Sequence, residues 1–414
     1  MRNTMKNNRT FLEKLLDGAE VEWKPVKSIC NDNFWLMPAT PEFDDNGNIP
    51  YITSKNIKGG KIDFQNTKYI NEYVYKELSR TRCIIENDIL ISMIGTIGEA
   101  VIVKQEDLYF YGQNMYVLRL NNELVNHKFF LYYFTAPFIL NSLLSKKNSS
   151  NQGYLKAGQI ENLKIPIPPL SVQTEIVKIL DALTALTSEL TSELILRRKQ
   201  YEYYREKLLS EEELGKVGFE WKTIDEISNK ISSGGTPTTS NNGYYDNGTI
   251  PWLRTQEVDF KEIWDTNIKI TEDALNNSSA KWIPANCVIV AMYGATVGKT
   301  AINKIPLTTN QACANIEIND KLACYRYIFH YLTSKYEYIK SLGSGSQTNI
   351  NAQIVKKIKV PVPPIEEQQR IVSILDKFET LTNSITEGLP LAIEQSQKRY
   401  EYYRELLLNF PGKE

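Results

Sequence analysis

The stretch from Pro166 to Leu209, PIPPLSVQTEIVKILDALTALTSELTSELILRRKQYEYYREKLL, returns from Pro361 as PVPPIEEQQRIVSILDKFETLTNSITEGLPLAIEQSQKRYEYYRELLL. No other feature restricts the possible folds as strongly. Both copies open with Pro-x-Pro-Pro, continue through a Gln and an Ile-Leu-Asp triplet, and close on YEYYRE. Apolar residues recur at three- and four-residue spacing: Ile176, Ile179, Leu183, Leu186, Leu190, Leu194, Tyr201, Tyr204 and Leu208 in the first copy. The second gives Ile371, Ile374, Phe378, Leu381, Ile385, Leu389, Ile393, Tyr400, Tyr403 and Leu407. That period belongs to a helix with one narrow apolar seam. Some 40 residues at about 1.5 Å rise would span roughly 60 Å. A seam of that length needs a helix of equal length against it, and the duplicate supplies one. The two copies are expected to pair as a coiled coil.

The copies differ by four residues. Asp181 lies 20 positions before Tyr201, and Asp376 lies 24 before Tyr400. Four residues are close to one turn and leave the seam nearly in phase. They fall around Gly388-Leu389-Pro390, where Gly and Pro interrupt a helix. A continuous first helix and a locally broken second one are expected.

The 414 residues suffice for two or three domains with full cores. No run of 18 apolar residues occurs, and MRNTMKNNRTF carries no apolar stretch behind its charges, so a soluble, cytoplasmic protein is expected. Cys30, Cys83, Cys287, Cys313 and Cys324 form no Cys-x-x-Cys pair, and His127 and His330 are the only histidines. Neither a zinc site nor a disulfide framework is expected.

The regions between the helical tracts are also duplicated. Trp23 in EWKPVKSI matches Trp221 in EWKTIDEI, and Ile49-Pro50-Tyr51 matches Ile250-Pro251-Trp252. ILISMIGTIGEAVIV matches VIVAMYGATVGKTAI, and FFLYYFTA at Phe129 matches YIFHYLTS at Tyr327. An offset near 200 held along the chain means duplication. Each region reads as short strands punctuated by Gly, Asn and Pro turns, with an aromatic helix near its end. The fold class is therefore α+β: two similar globules separated by two long helices pairing as an antiparallel coiled coil. The repeat is also cyclic, since FLEKLLDGAEVEWKPV resembles the exit from the first helix, YREKLLSEEELGKVGFEWKTI. Residues 11–17 are expected to lie beside the end of the second helix and close a two-fold-like ring. The expected divisions are 1–22, 23–165, 166–210, 211–360 and 361–414. Net charge in the regions 1–165 and 215–360 is +2 and +3, against −3 in each helical tract, so the globules lean towards a polyanion.

Catalytic signals are weak. Lys299 in YGATVGKT invites a phosphate-loop reading, but Gly294 leaves only three residues before Gly298, and the residues after Lys299 read as strand and turn. No His-Glu-x-x-His, Gly-x-Ser-x-Gly or Asn-Pro-Pro-Tyr occurs. Polar loops rich in Ser, Gly, Asn, Gln, Lys and Arg recur instead at equivalent places in the two globules. Such side chains reach phosphates and base edges. The candidates for DNA contact are Ser54, Lys55, Asn56, Lys146, Lys147 and Asn148 in the first, and Thr236, Arg254, Thr255, Gln256, Ser344, Gln347 and Asn349 in the second.

Taken together, the Pro-x-Pro-Pro starts, Gln173 and Gln368, the Ile-Leu-Asp triplets, EGLPLAIE and the two YEYYRE strings resemble the specificity (S) subunits of type I restriction–modification systems, over essentially the whole chain. The resemblance implies two target recognition domains, each reading one half of an asymmetric bipartite site on double-stranded DNA. It implies that the helices are the conserved spacers, setting the gap and docking two methyltransferase subunits, with restriction/translocase subunits as further partners. No cofactor is expected on this chain; S-adenosylmethionine, ATP and magnesium would belong to the partners. Tyr201, Tyr204, Arg205, Tyr400, Tyr403 and Arg404 are the candidates for partner contact. The specificity subunit of a related system, such as a phase-variable or restriction-less methyltransferase, is a close alternative that the sequence does not separate; a coiled-coil scaffold whose globules bind proteins is a more distant one, which steep salt dependence of DNA retention would exclude.

Overall fold

The computed structural model describes residues 10–95, 97–145, 155–343 and 349–412. The chain forms two units: Met1–Glu189 with Ile393–Glu414, and Leu190–Ala392.

In the first unit a four-stranded antiparallel sheet runs in the order Cys30–Leu36, Met115–Leu120, Ile89–Ser92, Ala100–Ile102. Its central strands, ILIS and MYVLRL, are mostly apolar and buried because both faces are covered, with Arg119 the half-buried exception. One face packs on the helix His127–Phe134, whose Phe129, Phe130, Tyr133 and Phe134 are buried. The other meets a three-stranded sheet in which Ile49–Thr53 runs parallel to Tyr111–Gln113. The second unit repeats this plan. Its larger sheet runs Ser228–Ser233, Cys313–Ile318, Val288–Ala291, Thr300–Asn303, and gains a parallel edge strand, Lys261–Ile263. Its aromatic helix is Tyr325–Ser334.

Each globule is closed at its neck by a two-stranded antiparallel ribbon. In the first, Glu22–Pro25 pairs with Lys164–Ile167, setting Trp23 opposite Pro166. In the second, Glu220–Thr223 pairs with Lys359–Val362, setting Trp221 opposite Pro361 in the same register. A proline in a two-stranded ribbon can face outward, where its missing N–H breaks no bond.

The ribbons lead directly into the long helices. The first, Leu170–Leu208, is an unbroken 39 residues. The second is two helices, Ile365–Asn383 and Gly388–Leu408. The interruption occupies 384–387, so Gly388 and Pro390 begin a new helix and do not end the preceding one. Gly388 has φ +80°, and a Cβ there would stand 2.6 Å from the Thr380 carbonyl oxygen. Only glycine fits. Pro390 lies in the first turn, where no intrahelical N–H is needed. Ile385, expected on the seam, lies in the interruption and is 78% exposed.

Antiparallel pairing appears within each unit. In the second, Arg198 donates to the Thr382 carbonyl at 3.5 Å, and Tyr204 stacks on Phe378 at 5.6 Å. In the first, the Thr187 and Ser396 hydroxyls lie 2.8 Å apart, while Tyr132 bonds to Asp181 and Arg404 reaches back to the same aromatic helix. The cyclic closure is made in the first unit. Leu12, from the helix Phe11–Leu16, shares a core with Leu407, Leu408 and Phe410, and Phe11 stands edge-on to Tyr403 at 6.3 Å.

Candidate nucleic-acid interface

Two loops and the far end of a third meet in each unit, built from equivalent stretches of sequence. In the first, the strand Ile49–Thr53 ends in a tight turn, Ser54–Asn56. Beside it runs the turn carrying Gly95 and Gly98, both at positive φ; a Cβ on Gly95 would lie 3.8 Å from Ser54 Oγ. The far end of the polar segment after Ser145 returns here, with the Leu155 N–H donating to the Met93 carbonyl at 3.1 Å. In the second unit Thr255–Glu257 is the matching turn, and Gly294 and Gly298 the matching glycines. Thr296 donates its hydroxyl to the Thr255 carbonyl at 2.8 Å, and the Ile350 N–H donates to the Met292 carbonyl at 3.0 Å. Duplication has therefore preserved a loop cluster as well as a core.

The candidate residues divide by exposure. Lys55 and Gln256 project into solvent from the two matching turns. Ser54, Asn56 and Thr255 are buried, at 5%, 7% and 7% exposure. Asn56 does internal work. Its Oδ1 accepts from the Thr53 N–H at 2.9 Å, and its Nδ2 donates to the carbonyls of Asp63 and Asn66. Both ends of its amide are occupied inside the turn, so in this structure it braces the loop that carries Lys55. Thr236 donates to Gln311, an exposed side chain absent from the sequence candidates. Its counterpart Gln113 accepts from Tyr51. The signal was present in the sequence as a glutamine at the same offset, in YGQN and TNQA. Arg254 Nε and Asn349 Oδ1 are buried without a hydrogen-bond partner among the described residues. Such an orphan costs about 1–3 kcal/mol unless a ligand or solvent satisfies it. Lys146, Lys147, Asn148, Ser344 and Gln347 lie outside the described residues.

Lys299 does not build a phosphate loop. Its ammonium pairs with Asp259 at 2.6 Å, and Thr300–Asn303 after it is a strand.

The helical candidates turn mostly inward. Tyr201 and Tyr204 flank Phe378, Arg205 lies over the Tyr201 ring at 5.4 Å, and Tyr400 packs on the first unit's core, as does Tyr403. Arg404 donates to the Tyr132 carbonyl at 2.8 Å and the Thr135 hydroxyl at 2.7 Å, capping the end of the aromatic helix. Burial pulls its pKa down. Helical period explains the arrangement: positions three apart in YEYYRE share the inward face, and the tyrosine between them points out. Those outward residues are Tyr203 and Tyr402, 57% and 63% exposed. Each is held edge-on to the next tyrosine with ring centres 5.4 Å apart.

An aspartate on each long helix fastens the globule. Asp181 takes the Lys128 ammonium at 2.6 Å and the Tyr132 hydroxyl at 2.7 Å. Asp376 takes the Arg326 guanidinium at 2.6 Å and His330 Nε2 at 2.8 Å. Arg326 also reaches Glu379 at 2.9 Å and Glu262 at 2.5 Å. Burial works against the Asp376 carboxylate, but hydrogen bonds from His330 and Arg326 outweigh it and hold its pKa below the ordinary value. Burial raises Glu379. His330, Asp376 and Glu379 are close enough to ligate a metal ion, and the Arg326 guanidinium already supplies the cation there. Among the described residues no helix is long and apolar enough to cross a membrane.

The sequence profile described as "Type I restriction modification DNA specificity domain" matches residues 20–197 and again 216–395. The chain is 39% identical to a putative type I restriction enzyme specificity subunit of Haemophilus influenzae, over 98% of this chain and all of that one. It is 37% identical to the EcoR124I/EcoR124II specificity subunit of Escherichia coli, over 98% of each. The fold is similar to a Mycoplasma genitalium S subunit (TM-score 0.52, 16% identity, 96% of this chain and 98% of that one). It is also similar to the HsdS subunit of Thermoanaerobacter tengcongensis (TM-score 0.56, 18% identity, 94% and 97%).

Proposed function

The chain belongs to the type I restriction–modification DNA specificity family, and on that premise we propose that its two globules, 23–165 and 211–360, each read one half of an asymmetric two-part site on duplex DNA. The observation that carries this reading is the meeting of the same two turns and the same returning segment end, Leu155 or Ile350, in both units. Divergence of the side chains on those loops, Lys55 against Gln256 for example, makes the two half-sites different in sequence. Lys55 and Gln256 meet the DNA from the exposed turns, and Arg254 and Asn349 contribute the buried polar atoms that await a partner.

Chemistry resides elsewhere in this proposal. The chain supplies recognition, and two methyltransferase subunits dock on the long helices, with restriction/translocase subunits completing a cytoplasmic complex. S-adenosylmethionine, ATP and magnesium belong to those partners. The exposed Tyr203 and Tyr402, displayed alike in both units, suit two copies of one partner.

The test is co-expression with a candidate modification subunit and mapping of methylated host DNA. A methylated two-part motif with an unspecified gap is expected, and exchange of 23–165 should alter one half only. A folded, partner-bound complex that methylates nothing and binds DNA without sequence preference would return the chain to the scaffold reading.

A further inference from the structure

An open cleft of about 710 Å³ lies in the second unit, between the neck ribbon and the helices on either side of the polar segment 342–351. Trp221, Tyr331 and Tyr338 form its aromatic walls, and Lys335, Lys357 and Lys359 stand around it. None of these lysines makes an ion pair with the described residues. Lys335 only approaches the Tyr331 ring, at 5.7 Å. Trp221 and Tyr338 are left 45% and 55% exposed at its mouth. The lining offers ammonium groups, an indole N–H and phenol hydroxyls, and no carboxylate.

We propose that this cleft is a phosphodiester-binding subsite, holding the DNA backbone outside the bases that the second unit reads. The proposal rests on the recognition role above and adds a contact that belongs to one unit. Two observations favour a polyanion over a short acidic peptide. Lys335, Lys357 and Lys359 bring three ammonium groups to one cleft with no acidic side chain in its lining, while the neighbouring Lys356 is already taken by Asp225 at 3.1 Å. The short helix Ala352–Lys357 runs from beside Ile350, whose N–H meets the Met292 carbonyl in the loop cluster, to Lys357 on the cleft, so a strand held in the cleft lies one short helix from the reading site. The first unit keeps only part of the arrangement. Trp23 and Lys164 match Trp221 and Lys359, but Pro137, Leu140 and Asn162 stand where the second unit has Lys335, Tyr338 and Lys357. The second half-site is thereby held by more backbone charge than the first.

The experiment uses the full chain in complex with its modification subunit and a duplex carrying the mapped motif, titrated over a range of salt. Each phosphate contact contributes about 0.9 to the slope of log affinity against log salt. The triple substitution Lys335→Gln, Lys357→Gln, Lys359→Gln should reduce that slope by about two to three. It should weaken cognate and non-cognate duplexes alike and leave the methylated motif unaltered, and the triple arginine variant should restore the slope. An unchanged slope in a complex that still methylates its motif would overturn the subsite while leaving the recognition role standing. Loss of the modification subunit from the complex, with the slope of the residual DNA binding unchanged, would make the cleft a protein-docking surface and also overturn it. Failure of the recognition role itself would appear in the unsubstituted complex, as binding with no sequence preference.

Discussion

Gln173 and Gln368 make the same three hydrogen bonds in their two units. Gln173 Nε2 donates to the carbonyls of Pro168 at 2.8 Å and Leu124 at 3.0 Å, and its Oε1 accepts from the Asn126 N–H at 2.8 Å. Gln368 Nε2 donates to Pro363 at 2.8 Å and Leu322 at 3.5 Å, and its Oε1 accepts from the Cys324 N–H at 2.8 Å. Both are fully buried. Each therefore ties the start of a long helix to the loop that begins the aromatic helix of its globule.

Gln173→Leu fills the space but orphans one buried and two half-buried backbone groups, at a cost of about 3 kcal/mol. Denaturant unfolding should show an early loss of the first globule. Limited proteolysis should then cut within 23–165 while 220–362 stays protected; equal sensitivity of both regions would count against a local latch.

Asp376→Asn tests the second fastening. Removing a partly buried partner of Arg326 and His330 should cost roughly 2 kcal/mol near pH 7, discounted because a third of the Asp376 side chain stays exposed. The folded carboxyl titrates below its ordinary value of 3.8, so its stabilisation is complete above that pH and is lost as pH falls through the lower, folded value. The gap in melting temperature between variant and parent should thus narrow below pH 4. A gap independent of pH would show that charge is not its origin.

Gly388→Ala forces a Cβ to within 2.6 Å of a carbonyl oxygen at a φ of +80°. A loss of about 2 kcal/mol or more is expected from strain and displacement together. Chemical denaturation measures it directly, and a neutral result would mean that 384–387 can rebuild as continuous helix.

Arg254→Ala should weaken binding to the mapped site by about 1–3 kcal/mol and relax sequence preference in one half of it. Methylation mapping with degenerate half-sites reads this out. Uniform weakening across all sequences would reassign Arg254 to a phosphate.

Tyr203→Ala and Tyr402→Ala should leave thermal stability within about 0.5 kcal/mol of the parent and weaken assembly with the modification subunit. Tyr204→Ala, which removes the ring stacked on Phe378, should instead destabilise the chain by about 3 kcal/mol. Gel filtration and thermal melting separate the two effects.

The repeated helix, the paired globules and the return of Leu12 to the core of Leu407 and Phe410 were legible because each rests on periodicity or duplication. The four-residue excess placed the helix break correctly to within a turn. It did not show that Gly388 and Pro390 would start a helix, because that depends on where the Thr380 carbonyl lies in space. At the loops only polar composition was legible. Asn56 and Lys55 are adjacent and equally polar, yet one braces its own turn and the other faces solvent. That distinction comes from the carbonyls of Asp63 and Asn66, which local sequence does not position. Tyr203 is hidden behind Tyr204 in the sequence for a related reason, since a motif of three tyrosines does not announce its inward face.

The neck ribbons, with Trp23 opposite Pro166 and Trp221 opposite Pro361, carry a consequence for inheritance. Everything between the two strands of a ribbon leaves and re-enters through one standard joint, secured by one glutamine. A gene segment exchanged between relatives at these joints would bring a new globule to an unchanged frame. Recombination could then create a new address on DNA in a single event, with no need for the helices to change at all.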